Sequence, residues 1–288
     1  MIYCFFGQHT YCKNMRGFSL VELSIVLVIL GLLTGGILTG QSLIHAAELR
    51  KFITQMSHYK TATYSFRDKY MAVPGDMQNA KQFWGAAGPD DWMCRGVDST
   101  TLSDPKNTCN GDGDGTIEHS SGDISNLIFY NQSWETFRFW QHLANAGLIE
   151  GMYSGVTGAS PMQLGHVPGV NSPRVPMGGT IGWMIMFYSA GQEPINVTSF
   201  ETVDYGHSMV IGSLDNSNVV PTTGFMKAED AYLIDMKMDD GMPASGLILP
   251  TIALWGLCTT AANTTDITAR YNLANSTISC GIIFRNII

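Results

Sequence analysis

Between Phe18 and Ala47 the chain reads FSLVELSIVLVILGLLTGGILTGQSLIHAA, with Glu22 as its sole formally charged residue. A stretch this apolar has to be covered by protein or by lipid. At 1.5 Å per residue it exceeds the roughly 20 residues needed to cross a hydrocarbon core about 30 Å thick. Lys13 and Arg16 precede it, so the positive-inside rule keeps the N-terminus cytoplasmic and exports the rest of the chain. A secretory signal also starts with basic residues, but its apolar core runs only about 7–15 residues before a small-residue cleavage site. Here the small residue, Gly17, stands before the core, and the candidates near His45-Ala46-Ala47 are poor. Composition alone is equally consistent with a plain single-pass anchor. Glu22 argues for more: a carboxylate inside a spanning helix costs about 2.5–3.5 kcal/mol on insertion scales and is normally retained for a function.

The run Gly17-Phe18-Ser19-Leu20-Val21-Glu22-Leu23, placed after a short basic leader and opening a spanning helix, resembles the processing site of type IV prepilins and type II secretion pseudopilins. The resemblance covers about the first fifth of the chain. It implies a leader over residues 1–17, cut after Gly17 by a membrane-embedded prepilin peptidase that then methylates Phe18. It makes Glu22 the fifth residue of the mature chain and the family's assembly glutamate. It also implies other pilin or pseudopilin subunits and an inner-membrane assembly platform as partners, with the head first periplasmic and then part of a filament.

The physics of Glu22 agrees with that implication. Cleavage frees an α-amine at Phe18, and Glu22 lies four residues on, near the positive end of the helix dipole. In a filament the amine of an incoming subunit pairs with a neighbour's Glu22. Desolvation offsets much of the attraction, so the pair sets register more than it adds cohesion. Cohesion would come from the apolar faces of Leu20, Ile25, Val28 and Leu32. Gly31 with Gly35, and Gly36 with Gly40, form small-xxx-small pairs that allow close helix approach. The same glycines lower helix propensity, so local melting is an equal alternative.

Composition bounds the remainder of the 288 residues. Without Lys13 and Arg16 the 16 basic residues fall to 14 against 24 acidic ones, a net charge of −10. This argues against a general nucleic-acid-binding surface, which is basic. Cys4 and Cys12 leave with the leader, and Cys94, Cys109, Cys258 and Cys280 remain. An even number in an oxidising compartment points to disulfides, with three possible connectivities; the sequence-local pairs Cys94–Cys109 and Cys258–Cys280 are favoured. Zinc is the rival reading, but no CxxC or HxxxH spacing supports it.

Past the apolar stretch, Leu49, Phe52, Ile53, Met56, Tyr59, Thr63 and Phe66 recur at helical spacing, so the helix continues to Tyr70, and Pro74-Gly75-Asp76 then opens a turn. A second helix is expected from Ser133 to Ala146, capped by Ser133 and ended by Gly147, with His142 a satisfied structural histidine. Strands are expected at Ile181–Tyr188, Met209–Gly212, Leu247–Ala253 and Ile278–Phe284. The fold class is therefore α+β: a pilin-like N-terminal helix with a transmembrane half (18–44) and an amphipathic half (45–70), packed on an antiparallel β-rich globular head (71–288).

One further motif carries chemistry. Asn110-Gly111-Asp112-Gly113-Asp114-Gly115-Thr116-Ile117-Glu118 matches the first nine positions of an EF-hand-like calcium loop. Asn110, Asp112 and Asp114 offer side-chain oxygens, Thr116 its carbonyl and Glu118 a carboxylate. The twelfth position is Ser121 where a bidentate glutamate belongs, so Asp123 or a more distant carboxylate such as Glu135 has to substitute. The alternative is a solvated Asn-Gly-Asp turn. Calcium in the head is a recurring property of the family that the N-terminus resembles.

The charge-dense run 227–241, with Tyr70–Asp76 and Trp140–Leu143, resembles a large-headed pilin-like group. Its Asp235, Asp239 and Asp240 can be read as acid/base or metal residues, and a helix followed by a solvated, capped Asp-Gly turn is the favoured account. Two functions stand as expectations. The first is a non-enzymic filament subunit, minor because the head is large. The second is a membrane-tethered exported enzyme or carbohydrate binder, which no nucleophile elbow, HExxH or acid pair supports.

Overall fold

The computed structural model describes residues 17–87, 104–117, 134–156, 166–188, 200, 204–214, 221–251 and 256–288. The chain divides at Ala47/Glu48 into two units. Helix α1, Leu20–Tyr70, is continuous across that division. In the first unit it runs unbroken through Gly31, Gly35, Gly36 and Gly40, each with open space where a Cβ would sit. Of the two expectations for these glycines, local melting is absent from the isolated chain. The hydroxyls of Ser24, Thr34 and Thr39 donate back to the carbonyls of Val21, Leu30 and Gly35 at 2.8–2.9 Å. Every polar side chain so disposed is satisfied within the helix, as an apolar surrounding demands.

In the second unit α1 buries one stripe: Leu49, Phe52, Met56, Tyr59, Ala62, Thr63 and Phe66. Thr63, the polar member, donates to its own helix at the Tyr59 carbonyl, 2.9 Å away. The stripe meets the head through aromatic rings. Phe52 stacks on Trp183 at 5.4 Å, and Tyr59 sets its edge against Trp183 at 5.2 Å and Trp140 at 5.0 Å. Two short helices come next, α2 at Ala80–Trp84 and α3 at Trp134–Asn145. Helix α3 buries Phe137, Phe139, Trp140 and Leu143 and stops at Gly147, whose φ is +71°, with the Leu148 N–H returned to the Leu143 carbonyl. Its expected cap, Ser133, lies outside the described residues.

Strands β1 (Ile181–Tyr188), β2 (Gly206–Ser213), β3 (Met226–Lys227), β4 (Ile248–Thr251) and β5 (Ile278–Phe284) form one sheet, and helix α4 spans Ala228–Met238. The order is β1-β2-β5-β3, with β4 also paired to β5, and every pairing is antiparallel. Register places Trp183 opposite Ile211 and Ile211 opposite Ile282. Both faces of the sheet are covered. Trp183, Ile185, Met209, Ile211 and Ile282 face the core that holds α1, while Met184, Met186, Tyr188, Val210 and Ile283 build a second cluster. That double burial is why β1 reads as an uninterrupted apolar run instead of an alternating one.

Cys258 is bonded to Cys280, as the sequence-local pairing expects. The bond closes the segment carrying Tyr271 back onto β5 and, on general grounds, stabilises by about 3 kcal/mol. Cys109 is also disulfide-bonded; its expected partner, Cys94, lies outside the described residues.

The stripe sets the first prediction. Phe52→Ala removes a fully buried ring and should cost about 3–5 kcal/mol in urea unfolding. Tyr64→Ala, on the exposed side of the same helix, should stay within about 0.5 kcal/mol. Equal effects would contradict the packing described.

Candidate functional sites

Ser19 and Glu22 close a reciprocal pair at the start of α1. The Ser19 N–H donates to Glu22 Oε2 at 2.9 Å, and the Val21 N–H reaches Ser19 Oγ at 3.3 Å. This is the capping-box arrangement of serine, two intervening residues and glutamate, which satisfies otherwise orphaned N–H groups. Treating Glu22 only as a charge awaiting a partner misses that Ser19-Leu20-Val21-Glu22 is itself a cap signature. Around it the apolar side chains are bare: Phe18 is 87% exposed, and Leu20, Ile25, Val28 and Leu32 are all exposed. The described part of the helix is long and apolar enough to cross a membrane.

The second site lies in the head, where the turn after α1 meets the 110–116 loop and the first turn of α3. Gly75, at φ +94°, lies so close to α3 that a Cβ there would sit 2.6 Å from the Glu135 carbonyl. Its N–H donates to His142 Nδ1 at 2.9 Å, and His142 Nε2 lies 2.9 Å from Thr108 Oγ1. His142 is thus a satisfied structural histidine, its pKa pushed down to about 3 by burial and then by Arg138. Gln141 gathers the same loop: its Oε1 accepts from Thr108 and Arg138, and its Nε2 donates to the Asn107 carbonyl at 2.9 Å. Arg138, fully buried and lowered to about 9 by that burial, donates from Nη2 to Cys109 Sγ at 3.1 Å.

This framework brings Asp76, Asp112 and Glu135 together, with one carboxylate oxygen from each within 4.8 Å of the others. Asp76 and Glu135 are buried and Asp112 is exposed. The Asp112 N–H points at Glu135 Oε1, 3.3 Å away, while Asp76 accepts from the N–H groups of Gly113 and Gly115. Burial, reinforced by Asp112 and Asp114, raises Asp76 to about 6 in spite of those two amides.

The expected ligands divide between this group and the surrounding loop. Asp112 joins the carboxylate group. Asn110 Oδ1 accepts from the Lys81 N–H at 3.0 Å, and Asp114 Oδ1 accepts from both the N–H and the hydroxyl of Thr116 at 2.7 Å. Glu118, Ser121 and Asp123 lie outside the described residues. Glu135, a candidate substitute for the missing glutamate, is present, and Asp76 is an addition. The signal for Asp76 is in the glycines: Gly111 packs directly against the Asp76 backbone, with no room for a Cβ. Three hard oxygens converging in a partly buried setting fit a divalent cation of the calcium class.

Asp235, Asp239 and Asp240 also converge, at the end of α4. Here the expectation of a solvated turn needs correction, because Asp235 is fully buried. It accepts from Tyr271 at 2.9 Å and from the Gly241 N–H at 3.1 Å; Asp239 accepts from the Leu247 and Ile248 N–H groups, and Asp240 from Met242 and Ser245. Every carboxylate in this group is spent on its own surroundings. Burial holds Asp235 up at about 7.

Residues 12–38 match the family model described as the prokaryotic N-terminal methylation motif. The N-terminus is of the type IV prepilin and pseudopilin type. The motif implies processing by a prepilin peptidase and assembly with other pilins. No curated relative and no solved structure matches the chain. The prepilin-type segment ends at residue 38, well before the head sites, so those are read from their own geometry.

Asp235 sets a pH prediction. Its folded pKa lies above the ordinary 3.8, so its contribution is fully present below that value and is lost as pH rises through about 7. His142 and His207, held down to about 3 and 4 chiefly by burial, act oppositely, but their contribution is complete above pH 6.5. Between about pH 4 and 7, therefore, the Tm of the wild type should fall relative to that of Asp235→Asn, in which the histidine contributions are the same, and the difference should level off above about pH 7. Parallel Tm profiles would remove this role.

Proposed function

We propose that the chain is a non-enzymic, minor subunit of a filament built at the inner membrane: a type IV pilus or a type II secretion pseudopilus. The observation that carries this reading is the start of α1. An anchor needs apolar length only, yet here Ser19 and Glu22 stand two and five residues after the cleavage glycine, and the Glu22 carboxylate is held at the first helical turn. Cleavage after Gly17 then places the new α-amine of Phe18 next to a carboxylate already held in position. The N-terminus is cytoplasmic before cleavage and the head lies on the far side of the membrane. The exposed apolar face of α1 is covered by lipid before assembly and by neighbouring helices afterwards.

Two substitutions separate capping from pairing. Glu22→Gln keeps an acceptor for the Ser19 N–H, because glutamine also completes a capping box, but it removes the charge. Both Glu22→Gln and Glu22→Ala should insert into membranes and lose filament incorporation, measured by immunoblotting of sheared filaments against the membrane fraction. Normal incorporation of Glu22→Gln would refute the charge-pair role. Gly17→Val should block processing, seen as retention of leader mass in the intact protein.

For the head we propose a calcium ion held by Asp76, Asp112 and Glu135. The ion would neutralise three crowded carboxylates and tie the turn after α1 to the 110–116 loop and α3. A ligand at about 100 times its Kd stabilises by about 2.7 kcal/mol, so calcium should raise the Tm of the purified protein by several degrees. Asp112→Ala should abolish the shift. Identical melting with and without calcium would remove the ion from this reading.

A further inference from the structure

A recess of about 770 Å³ opens where α1 ends, between its last two turns, the turn beyond them, the start of α2 and the backbone of the 113–115 loop. Its size lies within the range of small-ligand sites, but its walls are polar and aromatic rather than apolar. Tyr64 shows 42% of its surface, and Met71 on the rim is 88% exposed. Tyr70 is packed on several sides: Phe66 lies at 4.5 Å, Phe83 at 5.3 Å and Trp84 at 5.5 Å, and the Lys69 ammonium stands 5.0 Å over its ring.

Three polar side chains in the wall are unspent. Among the described residues, Arg67 and Asp68 engage no side-chain hydrogen bond or ion pair, even though they are adjacent and oppositely charged. Asn79 occupies the cap position of α2, yet its amide makes no capping bond. Met71 adds an independent sign. It has φ +53° at the position after a helix where glycine is the usual residue, with its N–H bonded to the Arg67 carbonyl at 2.8 Å. A left-handed methionine is strained and sets an exposed apolar side chain on the rim, and strain of this kind gathers at ligand sites.

The geometry points to a saccharide-binding site in this recess. The free charges are mixed, Arg67 against Asp68, which disfavours an anion such as phosphate, while Asp76 on the far wall is spent on the 113–115 amides and the cation group. What the wall offers is a guanidinium fork of donors, a carboxylate of acceptors, an amide with both, and a solvent-facing tyrosine ring. Vicinal hydroxyls need donor and acceptor groups side by side, and the C–H face of a pyranose packs on an aromatic ring. A neutral polyhydroxylated ring meets every group on that wall. Tyr64 and Met71 supply contact area, while Arg67, Asp68 and Asn79 select orientation.

The test uses the processed full-length protein in a detergent without a sugar headgroup. It is screened on an array of defined glycans, and the best soluble oligosaccharide is then titrated by calorimetry. The expected result is binding to one family of glycans, weakened at least about tenfold by Tyr64→Ala and by Asn79→Ala with Tm unchanged. Met71→Gly relieves the backbone, so it should weaken binding while Tm stays equal or rises, an outcome that damage to the fold does not produce. Absence of glycan binding would overturn the proposal, as would binding only to sulfated polyanions or binding that all three variants leave intact. Because the recess lies wholly in the head, the result is independent of whether Glu22 variants enter filaments.

Discussion

The contact on which the head depends is the aromatic stripe of α1 against Trp183 and Trp140. Phe52 stacks on Trp183 while Tyr59 meets it edge-on, and Phe66 continues the line towards His142 at 6.2 Å. Rings this size bury about 150–250 Å² each and favour the stacked and edge-on geometries seen here. The consequence is positional. Because the stripe fixes where α1 ends, it fixes the turn at Gly75, and through Gly75 it fixes the distance between Asp76 and Glu135.

A second layer of control comes from polar groups inside that packing. Arg138, Gln141 and His142 lie on one helix and bond to Cys109, to Thr108 with the Asn107 carbonyl, and to Thr108 with the Gly75 N–H, respectively. A buried guanidinium without a carboxylate among the described residues is costly, and its burial already lowers its pKa. The compensation is that two loops distant in sequence are held to one helix with hydrogen-bond precision. A cation site or a ligand recess needs this kind of support, since apolar packing alone tolerates small slips.

Legibility in the sequence tracks the range of the interactions. The strands at Ile181–Tyr188 and Ile278–Phe284 match the structure residue for residue because runs of branched and aromatic residues between turns are local signals. The stripe from Leu49 to Phe66 is legible for the same reason. Asp76 is not: its partners lie 36 and 59 residues downstream, and only the close approach at Gly111 and Gly75 betrays them. Asp235 reads as solvated because a helix ending in Asp-Asp-Gly looks exposed until Tyr271, carried over by the Cys258–Cys280 bond, closes on it.

On the filament reading proposed above, Glu22 answers a local demand and a distant one. A helix beginning at Leu20 leaves its first N–H groups without partners, and in an apolar surrounding each unsatisfied group costs several kcal/mol. Glu22 accepts from the N–H of Ser19, at the mouth of that helix, and is therefore ordered before any neighbour arrives. An ordered carboxylate loses less side-chain entropy on meeting an α-amine than a free one does, which favours pairing at a defined register. On that reading a neighbour's amine would have to share Glu22 with the capping bond rather than capture it. A carboxylate with two oxygens and about four lone-pair sites can accept from both. On the proposed reading the cost of the charge would therefore be divided between folding and assembly.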